Sequence, residues 1–173
     1  MASSRSIAAP DRRSGAIAEI GAIACRVAVS AEELDAHFAL RLAVFVSEQG
    51  LFVTDDRDEW DSSPATLHAL GFVDGEPSGA VRLYPLDAAG REWKGDRLAV
   101  LADHRANHLG AELVRFAVRS AGLLGGSRMI AHVQLPNVCF FERLGWRVAA
   151  EPAPFHGVMH QIMSIGLTSP EAG

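Results

Sequence analysis

A chain of 173 residues, of which 49% are hydrophobic and 21% charged, has the composition of a globular protein and can bury one sizeable core. The formal net charge of -5 provides no broad basic surface, so nucleic acid and anionic membranes are not expected as partners. The two cysteines, Cys25 and Cys139, lie far apart without the spacing of a zinc site, which predicts no metal and indicates a reducing, cytoplasmic location.

The N-terminal segment, residues 1–21, is predicted to be a flexible tail in front of a single domain over residues 22–173. Pro10, Asp11 and Glu19 interrupt its apolar residues, so we expect no signal peptide. No later stretch approaches the roughly 20 apolar residues of a membrane span.

The first half of the domain predicts four strands and one helix. The strands are expected in the short, largely apolar segments IACRVAVS, TLHALGFV, SGAVRLYPL and WKGDRLAVLA. Ser30 and Glu33 have the spacing of a helix cap at the head of SAEELDAHFALRLAVFV, whose apolar residues recur at helical intervals. Residues 47–66 show no period and many carboxylates, which predicts a long loop of a kind that is often functional.

The second half predicts two helices and three further strands. A helix is expected from about Leu109 to Leu124, because Gly125 and Gly126 end its pattern. The segments RMIAHV, WRVAA and GVMHQIMSIGL are predicted strands, and PNVCFFERLG is a predicted short helix. The element order is β-α-loop-β-β-β-α-β-α-β-β, which predicts an α/β (α+β) fold with helices on the faces of a mixed sheet.

A strand ending in LAV, an arginine-led loop into a helix and a later FFERLGW resemble the GNAT superfamily of acyl-CoA-dependent N-acetyltransferases. The resemblance covers residues 23–167. The chain further resembles the ElaA-type branch, which is related in layout to the acyl-homoserine-lactone synthases. The resemblance lies in RLAVFVSEQ, DEWD, His68, DRLAV, Gln134 and GVMHQIM. The resemblance implies a mostly antiparallel sheet of six to seven strands with a splayed cleft between the fourth and fifth strands.

The resemblance also implies that acetyl-CoA is the co-substrate and that the loop before the long helix binds its pyrophosphate. Unpaired amides at a helix start carry partial positive charge, which attracts anions. The backbone around Leu98 and Val100 is expected to pair with the pantetheine arm as a peptide strand would. The loop residues expected to contact the cofactor are Arg105, Ala106, Asn107, His108, Gly110 and Ala111, with free amides from Arg105 through Ala111.

Two residues depart from the family pattern. His108 replaces the first glycine of the usual Arg/Gln-x-x-Gly-x-Gly/Ala loop, although histidine tolerates left-handed geometry better than most residues. Three roles are open for the His108 side chain: it donates a hydrogen bond to phosphate, it obstructs phosphate, or it has no role. Phe141 stands where many members have a tyrosine that protonates the departing thiolate. Without that hydroxyl, water or another group assists the thiolate, or the protein only binds acyl-CoA.

Transfer from a thioester to an amine needs a neutral amine and a base or a proton path to water. Glu48 matches the branch's glutamate and is predicted to be that base or an anchor for a cationic amine. His160 is the preferred histidine for acid/base chemistry. His132 is expected to line the pocket with the substrate.

Four more residues are candidates for binding the amine substrate, and each has a structural alternative. Asp58 and Asp61 can instead cap the long loop, and Arg41 can pair with these acids. His68 matches a histidine of the branch but can also be a satisfied strand histidine. Arg97 is expected to meet a carboxylate rather than substrate.

The sequence thus predicts an acetyl-CoA-dependent N-acetyltransferase that acts on a primary amine of a small-molecule or peptidyl substrate, by direct attack in a ternary complex. One alternative is an acyltransferase like the acyl-homoserine-lactone synthases. The other, motivated by His108 and Phe141, is a non-catalytic acyl-CoA-binding module. The acceptor is not specified, and a homodimer is left open.

Overall fold

The first half of the chain forms an antiparallel sheet with one helix against it. In the computed structural model, which describes residues 21–168, the elements are β1 (Ile23–Val27), α1 (Ala31–Arg41), a π-helical segment (Leu42–Glu48), a 3-10 helix (Glu59–Ser62), β2 (Leu67–Val73), β3 (Glu76–Pro85) and β4 (Glu92–Val100). Ser30 caps α1 as predicted, since its hydroxyl accepts the amide N–H of Glu33 at 3.2 Å. The four strands and the helix predicted for this half are confirmed.

The second half adds the long helix and four strands. The elements are a 3-10 helix (Ala102–Asn107), α2 (Leu109–Leu123), β5 (Arg128–Gln134), a second 3-10 helix (Leu135–Asn137), α3 (Val138–Arg143), β6 (Arg147–Val148), β7 (Ala153–Phe155) and β8 (Val158–Gly166). β7 was not predicted, because three residues that include a proline show no strand period. With it, the sheet has eight strands, whereas the resemblance implies six to seven.

The strands form one sheet in the order β1-β2-β3-β4-β5-β8-β6, and β7 also pairs with β8. Every pairing is antiparallel except that of β4 with β5, which confirms the expected mixed sheet. Consecutive residues of β3 point to different cores: Val81 packs with Leu113 of α2, whereas Ala80 packs with Leu40 of α1. The two helices therefore cover opposite faces of the sheet, which we call the α2 face and the α1 face.

The predicted first helix changes its hydrogen-bonding pattern after Arg41. From Leu42 the chain is π-helical, and the amide of Gln49 donates to the carbonyl of Val44, five residues back, at 2.9 Å. This widened turn buries Val44 and Phe45 against Ala99 of β4. It consequently brings the residues that follow α1 over the α1 face of β4.

The strands β4 and β5 separate soon after they meet. They pair only between residues 92–94 and residues 128–130. Beyond that point β4 carries a bulge, where Arg97 and Leu98 together stand opposite Val81, and Arg97 has a φ of 52°. A bulge bends its strand and increases its twist. The bent strand diverges from β5, which confirms the predicted splayed cleft.

The predicted tail lies outside the described residues except for Gly21, as do residues 169–173. None of the helices between residues 21 and 168 is long and apolar enough to cross a membrane.

Candidate active site

The cleft between β4 and β5 has two chemically different walls. On the α2 face its lining is mainly apolar and includes Leu98, Val114, Ala117, Met129, Phe141 and Trp146. On the α1 face its lining is polar and aromatic and includes Gln49, Phe52, Lys94, Arg97, His132 and His160. One ligand with an apolar chain and another with polar groups can therefore meet in the cleft from opposite faces.

The outer end of β4 leads into the start of α2. His108 adopts the left-handed conformation, with φ 62° and ψ 3°, and its side chain makes no capping hydrogen bond. His108 therefore has the left-handed backbone conformation that a histidine was expected to tolerate at this position. A methyl group added at Gly110 would lie 3.7 Å from Val100 and Phe140, which is ordinary contact, so packing alone does not require glycine there.

The free amides of this loop are fewer than the resemblance implies. Residues 105–107 belong to a 3-10 helix, in which each amide donates to a carbonyl three residues back, so these amides are already used. The first amide bonded within α2 is that of Glu112, which donates to the carbonyl of His108 at 3.1 Å. The amides of residues 109–111 precede this bond and have no helical acceptor.

Glu48 and Arg105 are brought together beside the end of β4. The Arg105 guanidinium donates to both carboxylate oxygens of Glu48, at 2.7 and 2.6 Å, and to the carbonyl of Val100 at 3.0 Å. Both charged side chains are 44% exposed. The hydrogen bond from Arg105 lowers the pKa of Glu48 below its ordinary value. The sequence offered no sign that the predicted base and a predicted cofactor residue are partners.

The two predicted cleft histidines both line the α1-face wall. His160 is buried, and its Nδ1 lies 2.8 Å from the carbonyl of Val158. The Nδ1 of His132 is buried without a hydrogen-bond partner among residues 21–168. Burial, together with the charge of Lys94, lowers the pKa of His132, so its imidazole is neutral near pH 7.

A network of buried charges lies under the α1 face, beside the cleft. We call it the Arg–Asp network; its members are Arg41, Arg82, Arg97, Asp56, Asp58, Asp61 and Asp96, with His68 attached. Arg41 is fully buried and contacts Asp56 at 2.8 Å and Asp61 at 2.6 Å. The Nε2 of His68 lies 3.1 Å from Asp61. Burial alone would raise the pKa of Asp61, but hydrogen bonds from His68 and Arg41 outweigh it and hold this pKa far below its usual range.

The second half of the network is centred on Arg82. Its guanidinium contacts Asp58 at 2.6 Å and Asp96 at 2.8 Å. Arg97, which lines the cleft, contacts Asp56 at 3.0 Å and Asp58 at 3.3 Å, as expected of an arginine that meets carboxylates. The network thus ties the long loop to β3 and β4.

Four predicted substrate-binding residues belong to this network and are absent from the described lining of the cleft: Arg41, Asp58, Asp61 and His68. Asp58 and Asp61 also form a capping box around the 3-10 helix of the loop. The structural alternatives considered for these residues are therefore realised in the free protein. Three acidic residues of the loop, Asp56, Asp58 and Asp61, are bound to arginines of the protein itself.

Lys94 was not among the site residues predicted from the sequence, although one feature of the sequence distinguishes it. Of the 16 lysine and arginine residues, Lys94 is the only lysine. It lies on the α1-face wall, partly buried, with its ammonium 5.5 Å from the centre of the Phe155 ring. Burial lowers the pKa of Lys94, with Asp96 opposing this effect.

Phe141 is buried on the α2-face wall of the cleft. Its ring packs edge-on against Trp146, with ring centres 5.3 Å apart. The family's tyrosine position is thus filled by a hydrocarbon surface that lines the apolar wall and carries no proton donor.

This fold and cleft are those of a known family. Residues 33–146 match the acetyltransferase (GNAT) family, and the chain belongs to it. A protein of Bacillus subtilis (strain 168) that is named as an acetyltransferase is 32% identical over 136 residues, covering 78% of this chain and 90% of the relative. The crystal structure of an N-acetyltransferase from Lactobacillus plantarum is similar with a TM-score of 0.74 and 26% identity, covering 84% of this chain and 99% of that chain.

Two more solved structures share the fold. Escherichia coli ElaA is similar with a TM-score of 0.72 and 22% identity, covering 83% of this chain and 98% of that chain. The CoA-dependent acyl-homoserine lactone synthase BjaI is similar with a TM-score of 0.67 and 21% identity, covering 85% of this chain and 83% of that chain. These likenesses confirm the predicted relation in fold.

Between residues 21 and 168, no group of three or more His, Cys, Asp or Glu side chains is placed to hold a metal ion.

Proposed function

We propose that this protein transfers the acetyl group of acetyl-CoA directly to a primary amine of a small-molecule or peptidyl substrate, within a ternary complex. The two-sided cleft is the observation that carries the proposal. Its apolar wall suits an acyl-pantetheine chain, and its polar wall suits an amine. Because each substrate has its own face, the amine can attack the thioester without an acyl-enzyme intermediate.

In this proposal acetyl-CoA occupies the α2 face. Its pyrophosphate meets the amides of residues 109–111 at the start of α2. Its pantetheine arm pairs with the edge of residues 95–100 of β4, which β5 leaves unpaired. The carbonyl of Val100 on this stretch is bonded to Arg105 in the free protein. When the pantetheine arm takes the place of Arg105 at this carbonyl, Arg105 is free to turn its guanidinium towards the pyrophosphate.

Glu48 accepts the proton of the amine, directly or through water, once Arg105 has left it. The contact with Arg105 keeps Glu48 ionised, but it also occupies both carboxylate oxygens. Binding of acetyl-CoA therefore precedes activation of the amine. His132 and His160 on the α1-face wall are the alternative proton acceptors.

The thiolate leaves without help from Phe141. A general acid is worth about 10²- to 10⁴-fold, or about 3–5 kcal/mol. Positioning of two bound substrates can supply roughly 7–11 kcal/mol. Since positioning outweighs the missing acid, transfer remains feasible with phenylalanine at this position.

A non-catalytic acyl-CoA-binding module is the second candidate, and Phe141 is the observation that favours it. Purified protein is incubated with acetyl-CoA and a panel of amines, while free thiol is followed and binding is measured by calorimetry. Thiol release that depends on an amine supports transfer. Tight binding without thiol release would support the module, and no binding of acetyl-CoA would overturn both.

A further inference from the structure

Lys94 differs from the other described cations of the site in having no carboxylate partner. Arg82 and Arg97 are held by carboxylates at 2.6–3.3 Å. No hydrogen bond or ion pair joins the ammonium of Lys94 to another residue between 21 and 168, although it is partly buried in the cleft. The three donors of this ammonium are therefore available to a ligand that enters the cleft.

The carboxylates near Lys94 are directed elsewhere. Asp96 lines the same wall, but its two oxygens accept hydrogen bonds from Arg82, each at 2.8 Å. Asp58 lies further back and is shared by Arg82 and Arg97. Both acids help to keep Lys94 protonated without contacting it, and Arg82 and Arg97 act in the opposite direction.

The same wall is unsuited to a second cation on the substrate. Among the described residues that line the cleft, Asp96 is the only carboxylate, and it is bonded to Arg82. Glu48 lies outside that lining and is the proposed proton acceptor for the reacting amine. A diamine would therefore place its second charge beside Lys94 with no free carboxylate to bind it.

We propose that the amine substrate also carries a carboxylate, and that Lys94 binds this carboxylate on the α1-face wall. This inference rests on the proposed function and narrows its acceptor from any primary amine to an anionic one. The carboxylate completes the hydrogen bonding of Lys94, and the rings of Phe155 and Phe52 contact the body of the substrate. Lys94 is thus the residue that determines substrate specificity.

The single lysine makes a direct test of binding feasible. Protein labelled with isotopic lysine gives one lysine side-chain signal in NMR, because Lys94 is the only lysine in the chain. The probe is 3-phenylpropionate, and its control is 3-phenylpropionamide, which has nearly the same shape and no charge. We expect the acid to shift the Lys94 signal saturably and the amide to leave it unchanged. Equal shifts with both probes, or none with the acid, would overturn the assignment.

Turnover tests the substrate class with matched amines. Phenylalanine and phenylalaninamide are compared by thiol release from acetyl-CoA, in the wild type and in Lys94→Met, which keeps an apolar stem without the charge. We expect the acid to be preferred, and Lys94→Met to reduce kcat/KM for the acid about ten- to a hundred-fold while sparing the amide. Lys94→Arg should retain part of the preference, and Arg128→Met, which removes an exposed cation, should retain all of it.

The outcomes separate this inference from the proposed function. Equal thiol release from acid and amide would overturn the inference and leave the transferase proposal intact. Retained acetyl-CoA binding with no thiol release from any amine would overturn the transferase proposal, and the NMR experiment would still decide whether Lys94 binds a carboxylate. Acetylation of Lys94 itself by acetyl-CoA, seen by mass spectrometry, would make it an acceptor and would overturn its assignment.

Discussion

Replacing Arg105 by glutamine should weaken acetyl-CoA binding strongly and protein stability only slightly. In the free protein Arg105 holds Glu48 in a pair in which both side chains are 44% exposed. An exposed pair of this kind contributes little to stability, because solvent screens it. A charge-assisted hydrogen bond to the pyrophosphate is worth about 1.5–3 kcal/mol, which is roughly a 10- to 100-fold change in affinity.

The matched control for this substitution is Arg128→Gln. Arg128 pairs with Glu92 at 3.3 Å, with side chains 50% and 41% exposed, near the end of β4 that lies away from the loop. Both variants lose one exposed pair, so urea unfolding should give similar small losses of stability. Calorimetric titration with acetyl-CoA should show weakened binding for Arg105→Gln alone. Equal affinities in the two variants would refute a role of Arg105 in binding the cofactor.

Three further substitutions test other parts of the site. Glu48→Gln should lower kcat by about 10²- to 10⁴-fold while changing acetyl-CoA affinity little, and equal loss of both would show a structural role. His108→Gly should raise the free energy of unfolding by about 0.5–1 kcal/mol, because glycine adopts the left-handed conformation without strain, and a loss of stability would contradict this. In the same variant, acetyl-CoA affinity should rise if His108 obstructs the phosphate and fall if His108 binds the phosphate. Asp61→Asn should cost about 3–5 kcal/mol in urea unfolding at pH 7, because it leaves buried Arg41 short of a counter-charge. The native-state pKa of Asp61 is depressed, so its contribution to the free energy of unfolding is present above the unfolded pKa of about 3.9 and is lost as the pH falls below that value. In acid, the stability of the wild type should therefore approach that of Asp61→Asn. A difference in stability that stays constant with pH would contradict this assignment.

Most secondary structure was predictable because the sequence pattern is local. The cap at Ser30 and the glycines after α2 mark helix ends, and these signals require no knowledge of the rest of the chain. The π-helical segment was not predictable, since its apolar residues also fit an α-helix. β7 was missed because three residues are too few for a period, and its pairing with β8 depends on the completed sheet.

The site was predictable only in part. The motif around Leu98 and the start of α2 predicts where the cofactor loop lies, because the backbone role proposed for this loop depends only on its position along the chain. The motif did not reveal that residues 105–107 use their own amides in a 3-10 helix. Lys94 could have been suspected as the only lysine, but its lack of a carboxylate partner depends on Arg82 and Arg97 taking the nearby acids.

The sequence by itself determined the family, the order of the elements and the two departures from the family pattern, His108 and Phe141, because these depend on residue identity and spacing along the chain. Tertiary structure alone decided which charges meet. Asp58 and Asp61 lie on a loop whose acids could have faced a ligand, and they face Arg82 and Arg41 instead. Charges that lie far apart in sequence are paired by folding. The tertiary structure is therefore needed to show that, among the described cations of the site, Lys94 is the one without a carboxylate partner.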